Sequence, residues 1–156
     1  MTALNGWHRG ERLARHKTGY DSAPETAALW THIQGEMPEQ HSTFYTTRLQ
    51  FLPICILDRE QRPWGSILVG RDGKQGYIHH PKYDTLVIQA KLWEKDPFSR
   101  ILDTWDEKSG TNLLAGIGVE LSTRRRNKFA GKIVRTERMD QEGSVDIEVV
   151  VNQALG

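Results

Sequence analysis

From residue 113 to residue 121 every second position is apolar (Leu113, Ala115, Ile117, Val119, Leu121), with Gly116 and Gly118 falling between them. A period of two scatters side chains around a helix but gathers them on one face of a strand, so this stretch is predicted extended. Two glycines on the opposite face leave room for something flat or bulky close to the backbone, or for a tight barrel corner. The same period runs through 85–93 and 144–151, where Val145, Ile147, Val149 and Val151 face one way. Residues 51–57 are continuously apolar and read as a strand covered on both faces. Asp58 to Pro63 is a polar turn, and 64–69 return as the second arm of a hairpin. A turn at 72–76 leads into 77–80, and a last hairpin pairs 129–139 with 144–151 around Gln141, Glu142 and Gly143.

The first fifty residues read helical. Residues 7–17 hold helix formers and stop at Gly19. Ser22-Ala23-Pro24-Glu25 has capping-box spacing ahead of Leu29, Trp30 and Ile33. A third helix starts near Met37-Pro38-Glu39, with Phe44, Tyr45 and Leu49 along one side. Asp96-Pro97 opens a short inserted helix, Asp96 as N-cap, with Phe98, Ile101, Leu102 and Trp105 inward and a loop over 106–110. Helices do not alternate with the roughly seven strands, so the order favours a mainly β antiparallel barrel with α elements over a doubly wound sheet. The expected layout is a helical segment over 1–50 packing on a barrel core over 51–156, as one domain.

Basic and acidic residues nearly balance, 21 against 20, which argues against a dedicated nucleic-acid binder. No stretch has signal-peptide or membrane-spanning length, so the chain reads as cytoplasmic with no membrane partner. Cys55, the single cysteine, is expected to be a buried thiol in a reducing compartment. His79 and His80 are adjacent and would point to opposite faces of a strand, while His8, His16, His32 and His41 lie on separate predicted helices. No metal site is expected. Neither a phosphate loop nor a Gly-x-Ser-x-Gly elbow is present, and no catalytic constellation emerges from the side chains.

One local asymmetry remains. Between Thr123 and Arg138 lie seven basic residues and one acid, Glu137. Arg124, Arg125 and Arg126 are consecutive and repel one another, so water, carboxylates or a bound anion must offset them. Arginine's planar fork suits phosphate, and a nearby hydroxyl such as Thr123 completes such a site. A solvated turn or a basic edge strand would use the same residues.

Several segments, taken in order, resemble the pyridoxamine 5'-phosphate oxidase-like (pyridoxamine-phosphate-oxidase-related) family of FMN-binding split barrels. They are Trp7-His8-Arg9-Gly10-Glu11, Met37-Pro38-Glu39-Gln40-His41, Phe51-Leu52-Pro53 with Arg62-Pro63-Trp64-Gly65-Ser66 and Gly70, Asp96-Pro97, and Thr123-Arg124-Arg125-Arg126-Asn127. The resemblance implies a six- to seven-stranded antiparallel split β-barrel, a homodimer, and FMN at the subunit interface. It implies that Arg62, Trp64, Ser66, Thr123, Arg124, Arg125 and Arg126 hold the flavin. The glycine face, outside the family's motif, would then let an isoalloxazine ring or the partner subunit approach Gly116 and Gly118. The implied activity is flavin-mediated electron transfer from a reduced nicotinamide or other small donor, with a reductase domain or partner as a further source of electrons. The alternatives are a non-catalytic flavin, haem or anionic-ligand module of the same fold and, less favoured, a nucleic-acid-binding barrel.

Overall fold

The computed structural model describes residues 4–104, 112–140 and 142–156. Trp105, the loop over 106–110 and Gln141 lie outside the described residues. Seven strands form one antiparallel sheet: β1 (Phe51–Leu57), β2 (Pro63–Gly70), β3 (Ile78–Lys82), β4 (Thr85–Lys91), β5 (Leu113–Glu120), β6 (Arg125–Arg138) and β7 (Ser144–Leu155). Their order is β2-β1-β5-β6-β7-β4-β3, and β2 also pairs with β4, Val69 opposite Lys91 and Gly70 opposite Ala90. That pairing closes six strands into a barrel and leaves β3 as an extra strand on β4. Closure shortens the open edge of those six strands, leaving β3, a strand of five residues, as the free edge.

Alternation along each strand decides what fills the barrel. Leu52, Ile54 and Ile56 of β1, Leu86, Ile88 and Ala90 of β4, and Val145, Ile147, Val149 and Val151 of β7 are all buried. β1 departs from expectation: it is covered on one face only, because its alternate residues turn out of the barrel, and Cys55 is exposed rather than buried.

α2 (Glu39–Arg48) closes one end of the barrel. Phe44 and Tyr45 are buried on it and Leu49 follows at its C-cap, each such side chain contributing about 1.5–3 kcal/mol by leaving water. The Tyr45 ring meets Phe44 and Phe129 edge-on at 5.7 and 5.3 Å, and its hydroxyl donates to the Asn127 carbonyl at 2.6 Å. The glycine face of β5 looks into this cluster. A Cβ on Gly116 would meet Phe129 Cε1 at 2.5 Å, and one on Gly118 would meet Phe44 Cε1 at 2.7 Å. The bulky group anticipated against these glycines is therefore the chain's own aromatic core. Neither a flavin ring nor a partner approaches them, because that side of β5 is already filled.

The N-terminal third is helical only in part. α1 (Arg9–Thr18) starts at a capping box in which the His8 ring accepts the Gly10 N–H at 3.2 Å and Glu11 accepts the His8 N–H at 3.0 Å. Instead of a second α-helix, three short 3-10 turns follow, Tyr20–Ser22, Pro24–Thr26 and Leu29–His32. Hydroxyls compete for the carbonyls there: Thr26 donates to Ala23 O at 3.0 Å, and Thr31 to Ala28 O at 2.7 Å. Trp7 anchors the segment, its Nε1 donating to Ala27 O at 3.0 Å under the Arg15 guanidinium, and Gln34 bridges to Ala154 of β7. α3 (Pro97–Asp103) begins as expected, Asp96 accepting the Phe98 N–H at 2.7 Å. Among the described residues no helix is long and apolar enough to cross a membrane.

Candidate ligand site

The residues expected to hold a ligand fall into two groups, which one chain keeps apart. The Leu57 end of β1 pairs with Pro63, next to Arg62 and Trp64, while the Phe51 end pairs with Val69. β5 runs antiparallel beside β1, Ile56 opposite Leu114 and Ile54 opposite Gly116, so the C-terminal end of β5 lies toward Phe51. The arginine turn follows that end, and Phe51, Val119, Glu120, Leu121 and Ser122 line one cavity of about 280 Å³ with Arg48. The length of β1 therefore separates Arg62 and Trp64 from the arginine turn, about 20 Å for a seven-residue strand, while Ser66 pairs with Ile54 at its middle.

At the arginine turn, residues 121–124 link β5 to β6, and Arg124 adopts the left-handed conformation at φ 61°. Thr123 Oγ1 donates to Glu120 Oε2 at 2.5 Å and accepts the Arg125 N–H at 3.3 Å, so its hydroxyl is engaged by the turn itself. Strand alternation then sorts the arginines. Arg125 turns over α2, its guanidinium 5.1 Å from the Phe44 ring and donating to Gln40 O at 3.4 Å. Arg124 and Arg126 are exposed. Together with Lys128 and Lys132 they have no carboxylate partner among the described residues. Beneath Arg125, loss of hydration and then that positive charge hold the His41 imidazole below its ordinary pKa of 6.5.

Asp58 organises the other end. Its carboxylate accepts the backbone N–H groups of Glu60 and Arg62, Arg62 Nε at 2.7 Å and Trp64 Nε1 at 2.9 Å. Burial opposes the charge, but hydrogen bonds from Trp64 and Arg62 outweigh it and bring the Asp58 pKa down to about 2. Arg62 also reaches Glu60 at 2.9 Å. Ser66 Oγ donates to Asp96 Oδ2 at 2.6 Å. Arg62, Trp64 and Ser66 thus sit against carboxylates, whereas Arg124 and Arg126 at the arginine turn have none among the described residues.

Between the two ends the outward face of β2, β1 and β5 is apolar, and Arg126, Lys128 and Lys132 of β6 border it. Gly65, Cys55, Ala115 and Ala130 stand opposite one another across all four strands, a row of small residues. Bulkier residues flank it: Ile67 faces Pro53, Ile117 faces Lys128, and Leu113 faces Lys132. Ile67 is 53% and Leu113 42% exposed, so no element among the described residues covers this face. A flat apolar surface bordered by unpaired cations suits a planar ring system carrying a phosphate. Among the described residues no cluster of histidine, cysteine or carboxylate side chains could hold a metal ion.

A second cavity, of about 300 Å³, lies between the β1–β2 turn and α3, and its walls include Arg59, Arg100, Pro97 and Ile101 beside Arg62 and Trp64. Sequence reading missed it. Its walls come from segments some forty positions apart, and only the Asp96-Pro97 cap hinted that a helix returns there.

No family model and no curated protein matches the sequence. Solved structures do match in shape. HupZ of Group A Streptococcus superposes with a TM-score of 0.50 at 10% identity, over 76% of this chain and 92% of that one. An F420 reductase superposes with a TM-score of 0.51, also at 10% identity, over 75% of this chain and 97% of that one. The chain therefore shares its barrel fold, over nearly the full length of those proteins, with a reductase and with HupZ.

Proposed function

We propose that the chain is an FMN-binding oxidoreductase of the pyridoxamine-phosphate-oxidase-like family, acting as a homodimer. The observation that carries this reading is the apolar face of β2, β1 and β5, which no other element among the described residues covers and which ends at Arg124 and Arg126, without carboxylate partners among those residues. A second copy packing on this face about a two-fold axis across the strands would bring the arginine turn of one chain to the Trp64 end of the other. That joins the two groups of candidates that one chain holds apart. Arg124 and Arg126 would take the phosphate, with Arg62, Trp64 and Ser66 of the second copy along the rest of the cofactor. Arg125 supports the turn through Phe44, and Thr123 positions it through Glu120. Bound FMN would supply the redox chemistry, accepting electrons from a reduced nicotinamide or another small donor. The presence of a reductase among proteins of this fold favours that use of the scaffold.

Reconstitution with FMN tests the reading. Purified protein is expected to take up FMN, and Arg124→Ala with Arg126→Ala is expected to weaken binding roughly tenfold or more while circular dichroism stays unchanged. Protein that takes up no FMN would sink the proposal. Bound FMN that no nicotinamide reduces would reassign the site to binding without turnover.

A further inference from the structure

We infer that the cavity between the β1–β2 turn and α3 is a binding site for a small planar aromatic anion. Three guanidiniums, of Arg59, Arg62 and Arg100, line it against two carboxylates, Asp58 and Glu60. Arg62 spans both carboxylates, to Asp58 at 2.7 Å and Glu60 at 2.9 Å, so these three charges are mutually engaged. Asp58 is further held by the Trp64 indole, which keeps it ionised and fixes the ring as a wall of the cavity.

Two cations are left over. Arg59 donates to the Thr104 carbonyl at 3.0 Å, which anchors its guanidinium without neutralising it. Arg100 has no hydrogen-bond or ion-pair partner among the described residues. Pro97 and Ile101 supply apolar surface beside the indole. A volume of about 300 Å³ is at the small end of ligand sites and suits a molecule of one or two rings. The combination selects an aromatic body against Trp64, Pro97 and Ile101 and one carboxylate or phosphate at Arg100 and Arg59. Neutral aromatics lack the second contact, and simple phosphate lacks the first.

Ser66 and the arginine turn do not line this cavity, so it is separate from the phosphate end of the proposed flavin site and borders it only at Arg62 and Trp64. Binding here does not depend on flavin. That the bound anion is the substrate class of the oxidoreductase does rest on that reading.

The test is an NMR titration of the intact protein with 2-naphthoate, following the Trp64 indole N–H signal, assigned by its loss in Trp64→Phe. A saturable shift is expected, with 2-naphthol binding at least about tenfold more weakly. Arg100→Ala, at an exposed residue with no partner among the described residues, should lower naphthoate affinity by a similar factor and leave FMN affinity unchanged. The inference is overturned by an indole that does not respond, or by naphthol and naphthoate binding equally. It is also overturned if Arg100→Ala loses FMN along with naphthoate, because the cavity would then be part of the flavin site. Naphthoate binding by a protein that takes up no FMN would sink the flavin proposal and leave this site standing.

Discussion

Gly118 lies where an added Cβ would come within 2.7 Å of Phe44, 2.9 Å of Leu49 and 3.0 Å of Tyr45, three side chains that are almost wholly buried. Alanine there must displace a packed ring, so Gly118→Ala is expected to cost about 1–3 kcal/mol in urea unfolding, while Ala115→Ser on the outward face stays near neutral. His41 makes a second prediction at this scale. Its pKa is held below 6.5 in the folded chain, so between that depressed value and 6.5 the unfolded chain binds more protons. Its contribution to stability is therefore complete above the unfolded pKa and declines as pH falls through this window. An NMR titration of the His41 ring should show a midpoint below 6.5, and Arg125→Met should move it upward. The arginine run was visible in the sequence as a charge anomaly, but which side chain turns inward was not. That depended on the register of β6 against α2, which places Arg125 over Phe44. Cys55 misled for a related reason: a continuous apolar run does not say which of its two faces the barrel covers.

At the scale of elements, the Asp96 carboxylate links α3 to the barrel, one oxygen capping the helix and the other accepting from Ser66 of β2. Asp96→Ala should destabilise the protein by about 1 kcal/mol in thermal unfolding, and Asp96→Asn by less, because asparagine also caps. This helix was legible because its signal is local, an N-cap followed by proline. The strands were legible for the same reason, since alternation along β5 and β7 needs no distant partner. The segment from Ser22 to Ile33 was not. Its capping-box spacing predicts an α-helix, but threonine hydroxyls and a short span give 3-10 turns, and the anchoring contact comes from Trp7, twenty residues away. The cavity between α3 and the β1–β2 turn was invisible for the same physical reason: chain closure assembles it, and no local pattern records that.

The whole molecule presents one large face that the described residues leave bare, with Arg62 and Trp64 at one end of it and the arginine turn at the other. If a second copy covers this face, a charge at its centre must be buried without a partner on association. Ala115→Lys is therefore expected to shift the protein toward monomer in analytical ultracentrifugation while circular dichroism keeps the barrel signature. The same variant should lose FMN, because each site then lacks its second half. A dimer that persists in Ala115→Lys would place the interface elsewhere. The composite site itself is tested most directly by mixing two defective chains, Arg124→Ala/Arg126→Ala and Trp64→Ala, and titrating the mixture with FMN. Each alone should bind poorly, and subunit exchange should restore about a quarter of the wild-type sites with wild-type affinity, since a mixed dimer contains one intact pairing. A mixture that binds FMN no better than either parent, while the wild-type protein binds it well, would contradict a flavin site shared between two chains.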